Sequence, residues 1–236
     1  MACMARAYKW LGGIGYILEF IPYAGFISSI LIAAAWILMG RDTRERVFTI
    51  LGVLMLTTYI LAIALIIWLI LSFLSVAFVG AMAITPETMI MPRRMGEVFG
   101  KLFAWLLGVV VAGLVLAGLA IAVFILDIVA HFRAGKIFDN KWFKISGWVR
   151  IIMAITIMVA IPLTVFMIIS AGPSMLPSIP FGPSYGAILP FFLTIFWPIL
   201  IVLVIGLLAT IFSIIAFFMI PEETPPAQPS SQQLPP

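Results

Sequence analysis

Long apolar runs separated by short polar stretches set the pattern of the chain. Positions 47–79 hold 33 consecutive residues without Asp, Glu, Lys or Arg. As a helix this run is about 50 Å long, beyond the roughly 30 Å of a bilayer's hydrocarbon core, so it must tilt, kink or project. Positions 102–126 form a second clean run of 25 residues, 151–170 a third and 188–220 a fourth. Pro198 predicts a kink in the last run, because proline removes a backbone donor and clashes with the preceding turn. The expected fold is all-α: a polytopic integral membrane helical bundle with about five membrane-embedded segments, the first broken near Pro22.

The first segment, 11–40, admits two pictures. In one, 10–21 is a half-helix that enters partway, and 24–40 returns to the same face as a re-entrant arm. In the other, 11–40 is one long helix kinked at Pro22. The second places Glu19 at membrane depth, where a carboxylate costs on the order of 3 kcal/mol unless paired, hydrated or protonated. Lys and Arg counts favour the first. If both ends of 11–40 lie inside, the inside loops carry ten Lys and Arg and the outside three; a single crossing gives eight against five. The N-terminus, the 41–46 loop, the 127–150 loop and the C-terminal tail are then expected on the cytoplasmic side of a cell membrane.

The connectors differ in character. RDTRER at 41–46 is charged, 80–101 carries Pro86, Pro92, Arg93, Arg94 and Lys101, and 171–187 is uncharged and rich in Pro, Gly and Ser. Residues 1–220 read as one multi-pass transmembrane domain. Residues 221–236 read as a disordered Pro-rich tail, too polar to bury apolar area.

Composition agrees with this pattern and narrows the chemistry. Hydrophobic residues make up 64% of the chain and charged residues 9%, against about 25% charged in soluble domains. The net charge of +4 lies in loops and forms no dense basic stripe, so nucleic acid is not an expected partner. Membrane lipid is. Cys3 is the only cysteine and His131 the only histidine, which leaves no metal or disulfide framework within one chain. Asn140 is the only amide side chain before Pro221, a hint of a thermophile source.

The run LGGIGYILEFIPYAGFISSILIAAAWILMG resembles the opening of an archaeal membrane family called domain of unknown function 996. That family opens with Gly-Gly-Ile-Gly, an Ile-Pro-Tyr-type break and a second apolar run. IFDNKWFKISGWVRIIMAI, with Phe143, Lys144 and Gly147, is similar to its later Phe-Lys-x-x-Gly stretch, and IIAFFMIPEETPP to its last span and tail. The basic RDTRER connector and the compact middle connector depart from the family pattern. The resemblance implies an archaeal multi-pass membrane protein and brings no site residues, because the family has no assigned activity.

Four polar features carry candidate chemistry. Glu19 reads as a proton or cation site at membrane depth, or more plainly as an interfacial carboxylate beside a helix break and Tyr16 and Tyr23. Asp127 and His131, four apart, share a helix face and either relay protons or mark a helix leaving the membrane. Residues 136–150 mix Lys with Phe138, Trp142, Phe143 and Trp148, which suits an interfacial segment or a solvated loop. Thr57, Thr58 and Tyr59 either line a polar path or bond their own helix. Ala104, Gly108 and Ala112, with Gly113 and Ala117, repeat at four and allow close helix packing, within the chain, in a homo-oligomer or with a membrane-protein partner.

No HExxH, phosphate loop or GxSxG motif occurs, so no catalytic residues, cofactor-binding residues, metal ligands or cofactors are expected and the chain does not read as an enzyme. The first expectation is a non-catalytic structural or accessory subunit, or a membrane-organising protein. The alternative is a small-solute or ion channel or transporter using Glu19 and the Gly-rich first segment.

Overall fold

The computed structural model describes residues 2–83, 92–175 and 185–221. These form six helices: α1 (Ala2–Leu18), α2 (Gly25–Thr43), α3 (Arg46–Ala83), α4 (Pro92–Ile137), α5 (Lys141–Met175) and α6 (Tyr185–Phe218). The described residues contain no strand. Five helices, α2 to α6, are long and apolar enough to cross a membrane. Each helix packs on its chain neighbours, and α1 packs on α6, closing a ring. The expected Pro-rich tail beyond Pro221 lies outside the described residues, as do 84–91 of the 80–101 connector and 176–184 of the 171–187 connector; the rest of both connectors is helical.

The break near Pro22 is a defined turn. The amide of Ala24 donates to the Ile21 carbonyl at 3.0 Å, with Pro22 and Tyr23 between them. Tyr23 has φ 71°. Proline second and a positive φ third is the pattern of a type II turn, and proline also keeps Ile21 out of helical geometry. The chain therefore reverses, and α2 runs back along α1. Tyr8, near the start of α1, donates to Asp42, near the end of α2, at 3.4 Å. Burial and then the Asp42 carboxylate push the Tyr8 phenol well above its usual value. The two arms thus begin and end at one level, and the single kinked helix is not what forms.

Glycines let this hairpin close. A Cβ on Gly12 would collide with the Phe217 ring, one on Gly13 would come within 2.6 Å of Phe218, and one on Gly15 within 2.7 Å of Ile32. The Gly-Gly-Ile-Gly stretch is a contact surface for α6 and α2.

At the end of the bundle where these termini meet, all six helices share one aromatic core. Trp36, fully buried, lies at its centre. Its ring is 5.4 Å from Phe48 of α3, 5.2 Å from His131 of α4, 6.3 Å from Phe143 of α5 and 5.4 Å from Phe217 of α6. Tyr16 of α1 joins through Phe217 at 5.7 Å. Edge-on and tilted pairs of this kind add about 0.5–1.5 kcal/mol each beyond area burial. Away from this end the described helix faces are apolar and outward. Phe103, Leu114, Met158 and Phe166 are each more than two-thirds exposed. Such a surface is stable where lipid is the solvent, and the architecture is that of a multi-pass membrane protein.

The expected 127–150 loop is corrected here. Helix α4 continues to Ile137 and α5 begins at Lys141, so only Phe138–Asn140 connect them. Asn140 makes this tight turn possible. Its side-chain oxygen accepts from the Trp142 amide at 3.0 Å, capping α5, and its Nδ2 donates to the Ala216 carbonyl of α6 at 2.9 Å. Phe138 and Phe143 are buried in the core and Lys141 begins a helix, so residues 136–150 are not a solvated loop. The 41–46 loop likewise shrinks, to Arg44 and Glu45 between two helices. In each case an apolar helix carries its register through charged residues because the neighbouring helix supplies partners for them.

Candidate functional site

A cavity of about 510 Å³ lies inside the ring, and every helix contributes to its wall. Its polar lining comes from Tyr16, Glu19, Ser29, Thr58, Tyr59, Asp127, Arg150 and Thr210; Ala62, Ala120, Val123, Phe124 and Met153 are among its apolar lining residues. Asp127 is ten residues before the end of α4 and Arg150 nine after the start of α5, so both lie roughly 15 Å along the bundle from its polar end.

Arg150 organises the floor. Its Nε donates to Asp127 Oδ2, and its Nη1 donates to Ser146 Oγ. Nη1 also donates to Ser213 Oγ at 3.0 Å, and Nη2 reaches the Tyr16 hydroxyl at 3.4 Å. One guanidinium therefore ties α1, α4, α5 and α6 together. The planar fork of arginine suits this role, since its donors diverge towards several acceptors at once. Helical spacing aligns the parts: Ser146 and Arg150 are four apart on α5, and Thr210 and Ser213 three apart on α6.

His131 sits behind Asp127, fully buried, and does not line the cavity. A carbonyl only accepts, so the 2.8 Å contact between Nδ1 and the Asp127 backbone oxygen places a hydrogen on Nδ1. Nε2 lies 3.2 Å from the Ser213 hydroxyl oxygen, which itself donates to the Ala209 carbonyl at 2.9 Å. Asp127 Oδ1 lies 3.2 Å from the same Nδ1, but the ring hydrogen is committed to the carbonyl. That carboxylate oxygen is left buried with no hydrogen bond. Trp36 and Phe143 pack edge-on against the imidazole at 5.2 and 5.8 Å, so the Asp127–His131 line ends in aromatic rings.

Glu19 stands in the turn after α1, is exposed, and borders the cavity. Thr210 Oγ1 approaches Glu19 Oε2 at 3.3 Å. Of the consecutive hydroxyl residues Thr57, Thr58 and Tyr59 on α3, Thr57 bonds the Val53 carbonyl of its own helix at 2.9 Å, while Thr58 and Tyr59 line the cavity. Thr58 Oγ1 is buried without a partner.

The small-residue repeat falls on two sides. Gly108 packs under the Trp68 ring, with 3.0 Å to a Cβ built there, and Ala112 is half-buried. Ala104, Gly113 and Ala117 are exposed, and nothing lies within 4 Å of a Cβ on Gly113.

Sequence reasoning singled out Glu19, Asp127 and His131 and missed Arg150, the cation paired with Asp127. Arg150 looked like one of several loop charges. The signal for it was geometric: an arginine nine residues into an apolar helix, with serine four before it, opposite an aspartate ten residues from the end of the preceding helix. Among the described residues no group of three or more His, Cys, Asp and Glu side chains is placed to hold a metal ion.

The arrangement can hold a solute in a pocket of the size ligand sites usually have, with acceptor oxygens at one end and apolar walls beyond. The chain matches no family model, no curated protein and no solved structure.

Proposed function

We propose that this protein is a small-solute or ion carrier that binds its cargo in the cavity at the centre of the ring. One observation carries the reading: two carboxylates, Glu19 and Asp127, face a 510 Å³ cavity enclosed by helices that have the length and apolarity to span a bilayer. Ionisable side chains at membrane depth are costly and mark substrate or proton paths. The glycines of the first segment contribute packing and do not line the cavity, whereas its Tyr16 and Glu19 do. Below the floor, Trp36, Phe143 and Phe217 fill the bundle, which suits a carrier that opens by moving helices better than an open channel. No catalytic step belongs to this reading.

Uptake into proteoliposomes tests it. Labelled sodium, potassium, glycine and 2-phenylethylamine are offered together to vesicles with and without protein. At least one should enter faster with protein, and Gly206→Trp, which fills the cavity, should remove the difference. Uptake of all four at the protein-free rate overturns the carrier reading.

The second reading is a structural or accessory subunit or a membrane-organising protein. It is favoured by the outward row of Gly113 and Ala117, which leaves room for a helix of another subunit. We also propose that the N-terminus, the Arg44 turn, the Phe138–Asn140 turn and the C-terminal end face the cytoplasm, and that the chain is kin to domain of unknown function 996. Basic residues clustered at the end bearing Lys9, Arg41, Arg133 and Lys136 support the first of these, and the Gly-Gly-Ile-Gly opening the second.

A further inference from the structure

The charge balance of the cavity states what class of solute fits. Glu19 and Asp127 bring two carboxylates, and Arg150 is the one cation in the lining. All three guanidinium nitrogens are engaged, by Asp127, by Ser146 and Ser213, and by Tyr16, and the side chain is buried. Four of the five guanidinium N–H groups are thereby spent, leaving one on Nη2. Acceptors do remain. Glu19 receives only one long contact, from Thr210, and Thr58 Oγ1 has no partner, whereas the second oxygen of Asp127 is buried against His131 Nδ1 at 3.2 Å. An uncompensated negative charge in such a place calls for a positive partner.

Volume decides between a bare ion and an organic one. About 510 Å³ lies within the range of small-molecule pockets, roughly 300–1,000 Å³. A lone metal ion would occupy a small part of it, and the described residues offer no three-ligand metal cluster. Tyr16 and Tyr59 border the same space. Resting on the carrier reading and deepening it, we propose that the cavity takes a small organic cation, a primary ammonium group on an apolar body, whose N–H groups are accepted by the Glu19 carboxylate.

Three probes of one shape test the charge class: 2-phenylethylammonium, 2-phenylethanol and 3-phenylpropanoate. Each is titrated calorimetrically into the full chain in lipid nanodiscs, with empty discs as the reference for partitioning. The ammonium should bind at least tenfold more tightly than the alcohol, and the carboxylate should not bind. Glu19→Gln should reduce ammonium affinity about tenfold and leave the alcohol unchanged. Glu19 has only Thr210 as a partner, so this variant should fold; the wild-type series is decisive by itself if it does not. Equal binding of ammonium and alcohol, or tighter binding of the carboxylate, overturns the cation inference while leaving a solute cavity in place. Ammonium-selective binding without vesicle uptake keeps the inference and removes the carrier reading. No binding of any probe overturns the inference.

Discussion

Arg150 of α5 closes an ion pair with Asp127 of α4 across 23 positions of sequence, in a place where both side chains are largely buried. The pair works as a cross-brace because the guanidinium also holds Ser146 and Ser213. Removing one partner leaves the other charged and unsatisfied. Asp127→Ala or Arg150→Ala should each lower the unfolding free energy in mixed micelles by about 3–5 kcal/mol. Replacing both charges with neutral groups of similar size, Asp127→Asn with Arg150→Met, should recover most of that loss, since pairs exchanged together are often near neutral. A double variant that is no more stable than either single one would show that the pair is not what braces the helices.

Packing in the Gly-Gly-Ile-Gly stretch leads to a contrast between two glycines. Gly12 faces the Phe217 ring so closely that no side chain fits, whereas Gly113 faces open space. Gly12→Val should cost about 1–3 kcal/mol through overpacking. Gly113→Ala should be neutral or stabilise by up to about 1 kcal/mol, because alanine is the better helix former. Chemical unfolding of the two variants beside the parent reads this directly. If Gly113→Ala were the more damaging, its face would be covered by a second subunit, and the accessory-subunit reading would gain.

Much of the fold could be read from the chain, because apolar run length in a bilayer is a simple physical constraint. The charge-free run at 47–79 became α3, the runs at 102–126 and 151–170 became the middles of α4 and α5, and Pro22 did break the first segment. Helix ends were harder. Charges at 127–150 look like a loop when each is judged against solvent, and only the opposite helix reveals that Asp127 and Arg150 satisfy each other. The same limit hid the cavity. Thr58, Thr210 and Glu19 lie far apart in sequence, and each has a plain local explanation: a threonine bonded to its own helix, or a carboxylate near an interface. Ring closure by α1 on α6 brings them to one space, and no periodicity along the chain encodes that contact.

Closure of the ring also fixes a relation between the two ends of the first hairpin. Tyr8 and Asp42 touch, so the start of α1 and the Arg44 turn lie at one level of the bundle. Lys9 and Arg44 should therefore be reached from the same side of the membrane. In a Cys3→Ser background, Lys9→Cys and Arg44→Cys can be labelled with an impermeant maleimide in sealed, oriented vesicles. Both should react before the vesicles are opened, or both only afterwards. The turn at Pro22 and Tyr23 makes this outcome stringent, since a continuous helix over the same residues would carry the chain across the bilayer. Opposite accessibility of the two cysteines would show that 11–40 crosses once. The floor of the cavity would then lose Glu19 as a neighbour of Thr210.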